Sequence, residues 1–250
     1  MSNPISQIKK LNKPFSYFHT HVIDRAILDS VLESRKSLEI DVCMYDDGTI
    51  YVGHPVGYYT SRNLPLPSNV PLETIVKEAA AADLFLCFDC KHIKVLPKIK
   101  EMIELYGVDR CLVHAFIKEL SFKPWPAKVM EFAEPHWPQE EMPLDDLLRL
   151  KAETGVPLLL SCHGITRERL ETEGESIMNR ILELTKGRVE SINFFLPKDE
   201  IVPMPIMQQL LDNNILPLVG DRFPMDNSRP AIYLGSTDHL ELASNPQDFK

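Results

Sequence analysis

Short apolar stretches that alternate with segments of helical periodicity constrain the fold of this chain more than any other feature. Eight of these stretches have the length and residue types of buried β-strands; they cover residues 15–19, 37–45, 84–90, 110–116, 128–134, 156–163, 189–195 and 215–221. Six segments between them have apolar residues at helical spacing, namely 24–35, 72–82, 95–106, 143–154, 173–186 and 198–213. Strands that are joined mostly by helices predict an α/β fold with a parallel sheet.

The number of strands and the length of the chain favour one form of such a sheet. Eight strands in 250 residues predict a closed (β/α)8 barrel, formed by residues 14–250 as a single domain after an N-terminal lead-in of residues 1–13. An open, doubly wound sheet is the alternative. No glycine-rich phosphate loop follows the first predicted strand, which disfavours the nucleotide-binding form of that alternative.

Composition and charge exclude several classes of protein. A hydrophobic fraction of 44% supports a large core, and a net charge of −9 disfavours a nucleic-acid partner. Four of the five cysteines, Cys43, Cys87, Cys90 and Cys111, lie in or beside apolar stretches, which indicates buried thiols rather than a disulfide framework. No apolar run reaches the length of about 18 residues that a membrane span needs, and the N-terminus lacks the apolar region of a signal peptide. We therefore expect a soluble, cytoplasmic protein without a transmembrane segment.

Two carboxylates in the second predicted strand indicate a cation. Glu39 and Asp41 are two residues apart in an apolar stretch, and side chains at i and i+2 of a strand point to the same face. The two carboxylates repel each other unless a positive charge lies between them. A hard divalent cation with oxygen ligands is the usual partner of such a pair, so the sequence predicts a Mg²⁺ or Ca²⁺ site on this strand.

Further polar side chains lie late in the predicted strands or directly after them. In a (β/α)8 barrel the carboxyl ends of the strands meet at the face where the chemistry takes place, so we expect these side chains to line a common pocket. They are His19, Glu39, Asp41, His54, Asp89, Lys91, His114, Glu134, His163, Asn193 and Asp221. His54 follows a tight turn at residues 46–48, which predicts a hairpin that extends the second strand.

Five short motifs in residues 14–91 resemble those of the glycerophosphodiester phosphodiesterases, within the superfamily of phospholipase C-like barrels that also includes the sphingomyelinase D-like and menorin-like branches. The motifs are Pro14-Phe-Ser-Tyr-Phe-His19, Glu39-Ile-Asp41, Asp47-Gly48, Val52-Gly-His54 and Asp89-Cys-Lys91. Their order and spacing agree with the family pattern. The resemblance is weaker after residue 91, where Ser191-Ile-Asn193 and Gly220-Asp221-Arg-Phe-Pro224 are similar to the last two strands of the family.

Three positions depart from the family pattern. The first motif is usually His-Arg-Gly, whereas this chain has a threonine and a second histidine after His19, so either His19 or His21 is the first catalytic histidine that the resemblance implies. His19 is favoured because it directly ends the strand. Pro55 follows the second histidine, where the family often has Asp. Asp89 stands where the glycerophosphodiesterases commonly have Glu, which is closer to the sphingomyelinase D-like branch.

The resemblance implies a divalent-metal-dependent phosphodiesterase whose substrate is a small phosphodiester, such as a glycerophosphodiester or a related phospholipid-derived compound. Three carboxylates would hold Mg²⁺ or Ca²⁺, and Lys91 would hold a phosphate oxygen. His19 would act as base or nucleophile, and His54 as the acid that protonates the leaving oxygen. Hydrolysis and a cyclising lyase route both remain open. The three implied metal ligands are Glu39, Asp41 and Asp89.

The other polar side chains have less specific roles. Candidates for substrate binding are His21, His114, His163, Asn193 and Asp221, with hydrogen bonding inside the barrel mouth as the alternative. A lone Glu-x-Asp pair, loop histidine or Asp-x-Lys pair is common in proteins without such a site, and only their combined order favours the enzyme. Two other functions are compatible with these residues: a phosphate- or ligand-binding barrel of the same fold without turnover, and a metal-dependent aldolase or isomerase barrel.

Overall fold

The computed structural model of the protein describes residues 4–11, 15–20, 22–66, 69–133, 140–197, 200–219, 232–234 and 244–249. Within these ranges the strands are β1 (Phe15–His19), β2 (Leu38–Met44), β3 (Ile50–Val52), β4 (Leu86–Cys90), β5 (Cys111–Ser121), β6 (Leu158–His163), β7 (Ser191–Phe194), β8 (Leu216–Val219) and β9 (Ile232–Leu234). The helices are α1 (Pro4–Leu11), α2 (Arg25–Ser34), α3 (Val56–Ser61), α4 (Leu72–Ala81), α5 (Leu96–Tyr106), α6 (Ala127–Ala133), α7 (Leu144–Thr154), α8 (Arg167–Thr185) and α9 (Met204–Asp212).

Eight parallel strands close into a barrel. The pairing runs from β2 to β4 and then in chain order to β9. Strand β1 pairs in parallel with both β2 and β9, so the sheet has no open end. Strand β3 is antiparallel to β2 and pairs with the part of β2 that extends beyond β1. The protein therefore has an α/β fold of the (β/α)8 TIM-barrel type, and the alternative of an open, doubly wound sheet is wrong.

Most of the predicted elements are present, but one predicted strand is a helix. Residues 128–134 were expected to form a strand, whereas α6 covers Ala127–Ala133 and Glu134 lies outside the described residues. Alanine, lysine, methionine and glutamate favour helix, and the backbone N–H groups of Val129 and Met130 both donate to the Pro126 carbonyl. The eighth parallel strand is instead β9, a segment of three residues that the sequence patterns do not predict.

The interior of the barrel divides into an apolar part and a polar part. Ile5 and Ile8 of α1 are fully buried against Phe15, Phe85 and other side chains from the amino ends of the strands. Helix α1 thus covers the amino end of the barrel with part of the segment that was expected to be a lead-in. The buried carboxylates, histidines and lysine lie further along the strands or directly after them, as expected for a barrel of this type.

Strand β2 illustrates how the sequence separates the two faces of the barrel wall. Leu38, Ile40 and Val42 belong to the core between the barrel and its helices. The intervening Glu39 and Asp41 lie inside the barrel, because successive side chains of a strand point to opposite faces.

Two expectations from composition can also be compared with the structure. All five cysteines are buried and none forms a disulfide, as predicted. Among the described helices, none combines the length and apolar character that crossing a membrane requires.

Candidate active site

Three carboxylates lie together inside the carboxyl end of the barrel. Glu39, Asp41 and Asp89 each offer an oxygen atom, and these three atoms lie within 4.8 Å of one another. The strand register explains this arrangement, because Asp41 on β2 pairs with Asp89 on β4 and Glu39 is two residues earlier on the same face of β2. All three side chains are buried, so water screens their mutual repulsion only weakly.

Lys91 contributes a positive charge to this cluster. Its Nζ lies 2.5 Å from Oδ2 of Asp89 and 3.0 Å from Oδ1 of Asp41. Burial alone would lower the pKa of Lys91, but Asp41 and Asp89 outweigh burial and raise this pKa above its ordinary value, so the lysine is charged. Burial alone would likewise raise the pKa of Asp89, but His114 and Lys91 lower it to about 2.

Two carboxylate oxygens of the cluster are buried without a hydrogen bond from the described residues to offset their loss of hydration. Burial raises the pKa of Glu39 to about 7 despite the nearby His19. In the described part of the chain, Oε2 of Glu39 and Oδ1 of Asp89 are buried and have no hydrogen-bond partner. Such atoms are rare because the loss of hydration is not compensated. Both atoms are therefore suited to be ligands of a cation.

The carboxylate cluster fits a hard divalent cation in both chemistry and dimensions. Two oxygens of one coordination sphere lie no further apart than twice the metal–oxygen distance, which is about 4.2 Å for Mg²⁺ and about 4.8 Å for Ca²⁺. The three carboxylate oxygens lie within 4.8 Å of one another, which meets this limit for Ca²⁺, and Mg²⁺ would require them to lie within about 4.2 Å. Glu39, Asp41 and Asp89 could thus hold such a cation, with water or substrate oxygens as its remaining ligands.

Two histidines face the same oxygen of Asp41. Nε2 of His54 lies 3.0 Å from Oδ2 of Asp41, and Nε2 of His19 lies 3.7 Å from it. Nε2 of His19 also lies 3.6 Å from Oε1 of Glu39. Burial alone would lower the pKa of His19, but the two carboxylates raise it to about 9. The His19 side chain is 17% exposed whereas that of His54 is 6% exposed, so His19 is nearer to the opening of the barrel.

The predicted hairpin positions His54. Strands β2 and β3 are joined by a turn in which Gly48 has a φ of +87°, a value that favours glycine. The hairpin register pairs Val42 with Val52, and the Gly53 N–H donates to the Asp41 carbonyl at 2.9 Å. His54 therefore follows β3 at the level of the carboxylates on β2.

Tyrosine side chains hold the backbone and the ring of His54. The Tyr51 hydroxyl donates to the His54 carbonyl at 2.9 Å, and the His54 N–H donates to the Tyr59 hydroxyl oxygen at 3.1 Å. The ring of Tyr58 lies 4.3 Å from the imidazole, centroid to centroid. The sequence predicted packing or substrate contact for Tyr58 and Tyr59, and no role for Tyr51.

Contacts through His114 and Ser161 connect the carboxylates to β6 and β7. Nδ1 of His114 lies 3.3 Å from Oδ2 of Asp89, and its Nε2 lies 2.7 Å from Oγ of Ser161. The Asn193 side-chain amide donates to the same Oγ at 2.8 Å. The Ser161 hydroxyl proton is then directed to Nε2 of His114, which favours the tautomer with the proton on Nδ1, facing Asp89.

His163 belongs to a neighbouring polar cluster. Its Nε2 lies 2.7 Å from Oε1 of Glu141, which also accepts a hydrogen bond from the Ser121 hydroxyl at 3.2 Å. The indole N–H of Trp125 donates to the same hydroxyl at 3.2 Å. Burial lowers the pKa of His163, although Glu141 opposes this effect.

The structure brings most of the predicted site residues together. The carboxylate cluster and the groups in contact with it are Glu39, Asp41, Asp89, His19, His54, Lys91 and His114. Asn193 is connected to them through Ser161, whereas His163 pairs with Glu141. His21 and Asp221 lie outside the described residues.

Ser161 and Glu141 were not predicted from the sequence, for different reasons. Ser161 is two residues before His163 in the same predicted strand, so its inward orientation could have been inferred from the alternation of strand faces. Glu141 comes from the segment before α7, which a backbone bridge between Ile117 and Met142 holds beside β5. No local pattern in the sequence indicates this tertiary contact.

Comparison with known proteins gives a similarity of overall fold only. No family model matches the sequence, and no curated protein matches it. Orotidine 5'-monophosphate decarboxylase from Methanocaldococcus jannaschii is similar in structure with a TM-score of 0.48, at 10% identity over 95% of this chain and 96% of the other. A glycerophosphodiester phosphodiesterase from Agrobacterium tumefaciens gives a TM-score of 0.47, at 12% identity over 90% of this chain and 95% of the other.

A third solved structure is a complex of phosphonopyruvate hydrolase with oxalate and Mg²⁺, with a TM-score of 0.48 and 9% identity over 96% of this chain and 82% of the other. All three TM-scores are below 0.5. These likenesses therefore do not distinguish among a decarboxylase, a phosphodiesterase and a hydrolase, and function has to be inferred from the side chains.

Proposed function

We propose that this protein is a divalent-cation-dependent phosphodiesterase that cleaves a small phosphodiester, such as a glycerophosphodiester or a related phospholipid-derived compound. One observation carries the proposal. Three buried carboxylates lie within 4.8 Å of one another, two of their oxygens have no hydrogen-bond partner in the described part of the chain, and two imidazoles face the central carboxylate.

The carboxylates account for the cation. Glu39, Asp41 and Asp89 would hold Mg²⁺ or Ca²⁺, and either ion would offset the negative charge that develops on a phosphoryl group during cleavage. Lys91 supplies one positive charge beside these three carboxylates. A cation bound to Glu39 and Asp41 would offset the negative charge that favours a proton on His19, so that this ring could act as a base. Without a further cation the pocket would repel an anionic phosphodiester.

The histidines account for the proton transfers. Cleavage of a phosphodiester removes a proton from the attacking oxygen and delivers a proton to the leaving oxygen, and a pair of imidazoles can perform both transfers. In agreement with the motif resemblance, His19 would act as base or nucleophile and His54 as acid. Asp41 faces Nε2 of both rings and would stabilise the charged form of each in turn. Between His19 and His21, the contacts of His19 with Glu39 and Asp41 support His19.

Lys91 would bind the substrate phosphate. Its ammonium lies between Asp41 and Asp89, where a phosphate oxygen could become one further acceptor. Lysine is a common phosphate ligand because its ammonium is a compact point charge. An aldolase or isomerase would need a single base beside a carbonyl group, and two imidazoles on one carboxylate fit that chemistry less well.

Phosphorus NMR on a panel of phosphodiesters tests the proposal. We expect product formation that stops when a chelator removes divalent cations and resumes when Mg²⁺ or Ca²⁺ is added. The same spectra distinguish a cyclic phosphate from a hydrolysed monoester, and so decide between the lyase and hydrolase routes.

Two variants connect activity to the carboxylates. Glu39→Gln keeps the size of the side chain and removes its charge, so we expect the rate to fall by at least about a hundredfold. Glu153→Gln is the control, since Glu153 is an exposed glutamate on α7 that pairs with Lys100. Turnover that survives both the chelator and Glu39→Gln would contradict the proposal. Cation and phosphate binding without turnover on any phosphodiester would favour the non-catalytic binding barrel.

A further inference from the structure

We infer that the pocket contains a second cation site, formed by His19, Asp41 and His54, which binds a transition-metal ion such as Zn²⁺ and thereby inhibits the enzyme. The motif resemblance and the carboxylate cluster both assign Asp41 to a metal, but neither assigns His19 or His54 to one. Inhibition rests on the proposed function, whereas binding of the ion does not.

The geometry of the three side chains fits a four-coordinate metal. Ligand atoms of His19, Asp41 and His54 all lie within 4.8 Å of one another. Four ligands at about 2.1 Å from a tetrahedral Zn²⁺ are separated from each other by about 3.4 Å. The observed distances from Oδ2 of Asp41 to the two Nε2 atoms are 3.0 Å and 3.7 Å, on either side of that value. Small rotations of the imidazoles would complete the geometry.

The chemistry of the ligands separates this site from the carboxylate cluster. Two imidazoles and one carboxylate suit Zn²⁺ and similar transition metals, whereas three carboxylates suit Mg²⁺ or Ca²⁺. The two oxygens of Asp41 also face different groups. Oδ2 faces the two histidines, and Oδ1 lies 3.0 Å from Nζ of Lys91. The oxygen of Asp41 that faces the two histidines is thus distinct from the oxygen that faces Lys91.

The surroundings of the three ligands are ordered and partly open. Asp41 is fully buried. Two tyrosines hold the backbone of His54, and the Tyr58 ring packs against its imidazole. The His19 side chain is 17% exposed, which gives an ion or a water molecule access from the opening of the barrel. Three protein ligands leave the fourth position of a tetrahedral ion for such a water molecule.

Occupation of this site would block the proposed acid and base. The Nε2 atoms of His19 and His54 would donate their lone pairs to the metal, so neither ring could accept or deliver a proton through that atom. Zn²⁺ should therefore lower the rate even when Mg²⁺ saturates the carboxylate cluster. Because the two sites share Asp41, Mg²⁺ should also weaken the binding of Zn²⁺.

Binding of Co²⁺, followed by displacement with Zn²⁺, tests the site directly. A four-coordinate Co²⁺ absorbs visible light more strongly than a six-coordinate one, so the spectrum reports the geometry. With the chelator-treated, full-length protein we expect one intense Co²⁺ spectrum per chain that Zn²⁺ abolishes. His19→Asn and His54→Asn should each weaken Co²⁺ binding by more than about tenfold, and should leave the calorimetric binding of Mg²⁺ largely unchanged.

Two further variants show which ligands are used. Glu39→Gln should weaken Mg²⁺ binding and keep the Co²⁺ spectrum. His163→Gln, which changes a buried histidine that pairs with Glu141, should affect neither ion. The site is refuted if the Co²⁺ spectrum survives both His19→Asn and His54→Asn, or if Glu39→Gln abolishes it.

The inhibitory role has its own criterion. In an enzyme saturated with Mg²⁺, one equivalent of Zn²⁺ should reduce turnover at least tenfold. Unchanged or increased turnover, with Zn²⁺ shown to be bound, would overturn inhibition. If the protein turns over no phosphodiester at all, the proposed function fails, and the Co²⁺ experiment still decides whether the metal site exists.

Discussion

Replacing Lys91 with methionine tests the balance of charge in the barrel mouth. Nζ of Lys91 lies 2.5 Å from Asp89 and 3.0 Å from Asp41, and at an effective dielectric constant of about 20 each pair attracts by about 6 kcal/mol. Most of this attraction offsets the cost of burying the ammonium. Removing one partner of a buried ion pair typically destabilises the folded protein by about 3–5 kcal/mol. We therefore expect Lys91→Met to lower the free energy of unfolding by about 3–5 kcal/mol in the presence of a chelator.

Urea denaturation measures this loss, and a surface lysine supplies the control. Lys98 also contacts two carboxylates, with Nζ 2.8 Å from Glu73 and 3.0 Å from Glu101, but both partners are about half exposed or more. Solvent-exposed pairs of this kind contribute about 0–1 kcal/mol, so Lys98→Met should cost much less than Lys91→Met.

A divalent cation should reverse part of the effect of Lys91→Met. An ion that binds only the folded protein stabilises it, by about 2.7 kcal/mol at a hundred times its dissociation constant. In the Lys91→Met variant the ion would also replace the missing ammonium beside Asp41 and Asp89. Mg²⁺ should therefore stabilise this variant more than the wild type. Equal losses for Lys91→Met and Lys98→Met, or equal stabilisation of wild type and variant by Mg²⁺, would refute the reasoning.

Three further predictions concern other parts of the barrel. Ser161→Ala removes the hydrogen-bond partner of His114 and should lower the free energy of unfolding by about 1–3 kcal/mol. Calorimetry should show that the affinity for Mg²⁺ falls by about 10–100-fold. An unchanged affinity would contradict a link between Ser161 and the carboxylate cluster. Gly164→Ala places a methyl group 2.8 Å from a backbone carbonyl oxygen at a φ of +79°, whereas Gly187→Ala has open space at a φ of +70°. In urea denaturation, Gly164→Ala should therefore lose more free energy of unfolding than Gly187→Ala, by more than about 1 kcal/mol. Equal losses would exclude a clash at Gly164. Burial lowers the pKa of His163, so as the pH falls the unfolded chain protonates this histidine before the folded protein does. The wild type should therefore lose stability relative to His163→Gln as the pH falls below about 6.5. A stability difference that does not depend on pH would count against this prediction.

The sequence predicted the fold correctly even though one predicted strand was wrong. Strands β4 and β6 are fully buried, and so is β2 except for Met44. Such strands appear in the sequence as nearly continuous apolar runs. Residues 128–134 have a similar apolar content and were predicted as a strand, but residues 128–133 belong to α6. A run this short does not distinguish a strand from a helical segment. Strand β9 has only three residues, too few for an alternation pattern. The total of eight strands was right because the false strand compensated for the missed one.

The sequence predicts the relative positions of site residues that lie a few residues apart on one strand. Glu39 and Asp41 share a face of β2 by alternation alone. The level of Asp89 depends on the register of β2 and β4, and its place in the site was implied by the motif resemblance. The contact between His163 and Glu141 was not predictable, since Glu141 reaches the barrel from a connecting segment. The contact of Ser161 with His114 depends on the relative register of β5 and β6, which one sequence does not specify.

The register of the β2–β3 hairpin determines the distance between Asp41 and His54. The turn at Gly48 fixes the register in which Val42 pairs with Val52, and a shift of one residue would direct every side chain of the returning strand to the opposite face. Asp41 is also held in place by its pairing with β4, so its position cannot adjust to compensate. The 3.0 Å contact between His54 and Asp41 therefore depends on the length of a surface turn. The proposed acid catalysis and the inferred Zn²⁺ site both require this contact, and thus both depend on the register of the β2–β3 hairpin.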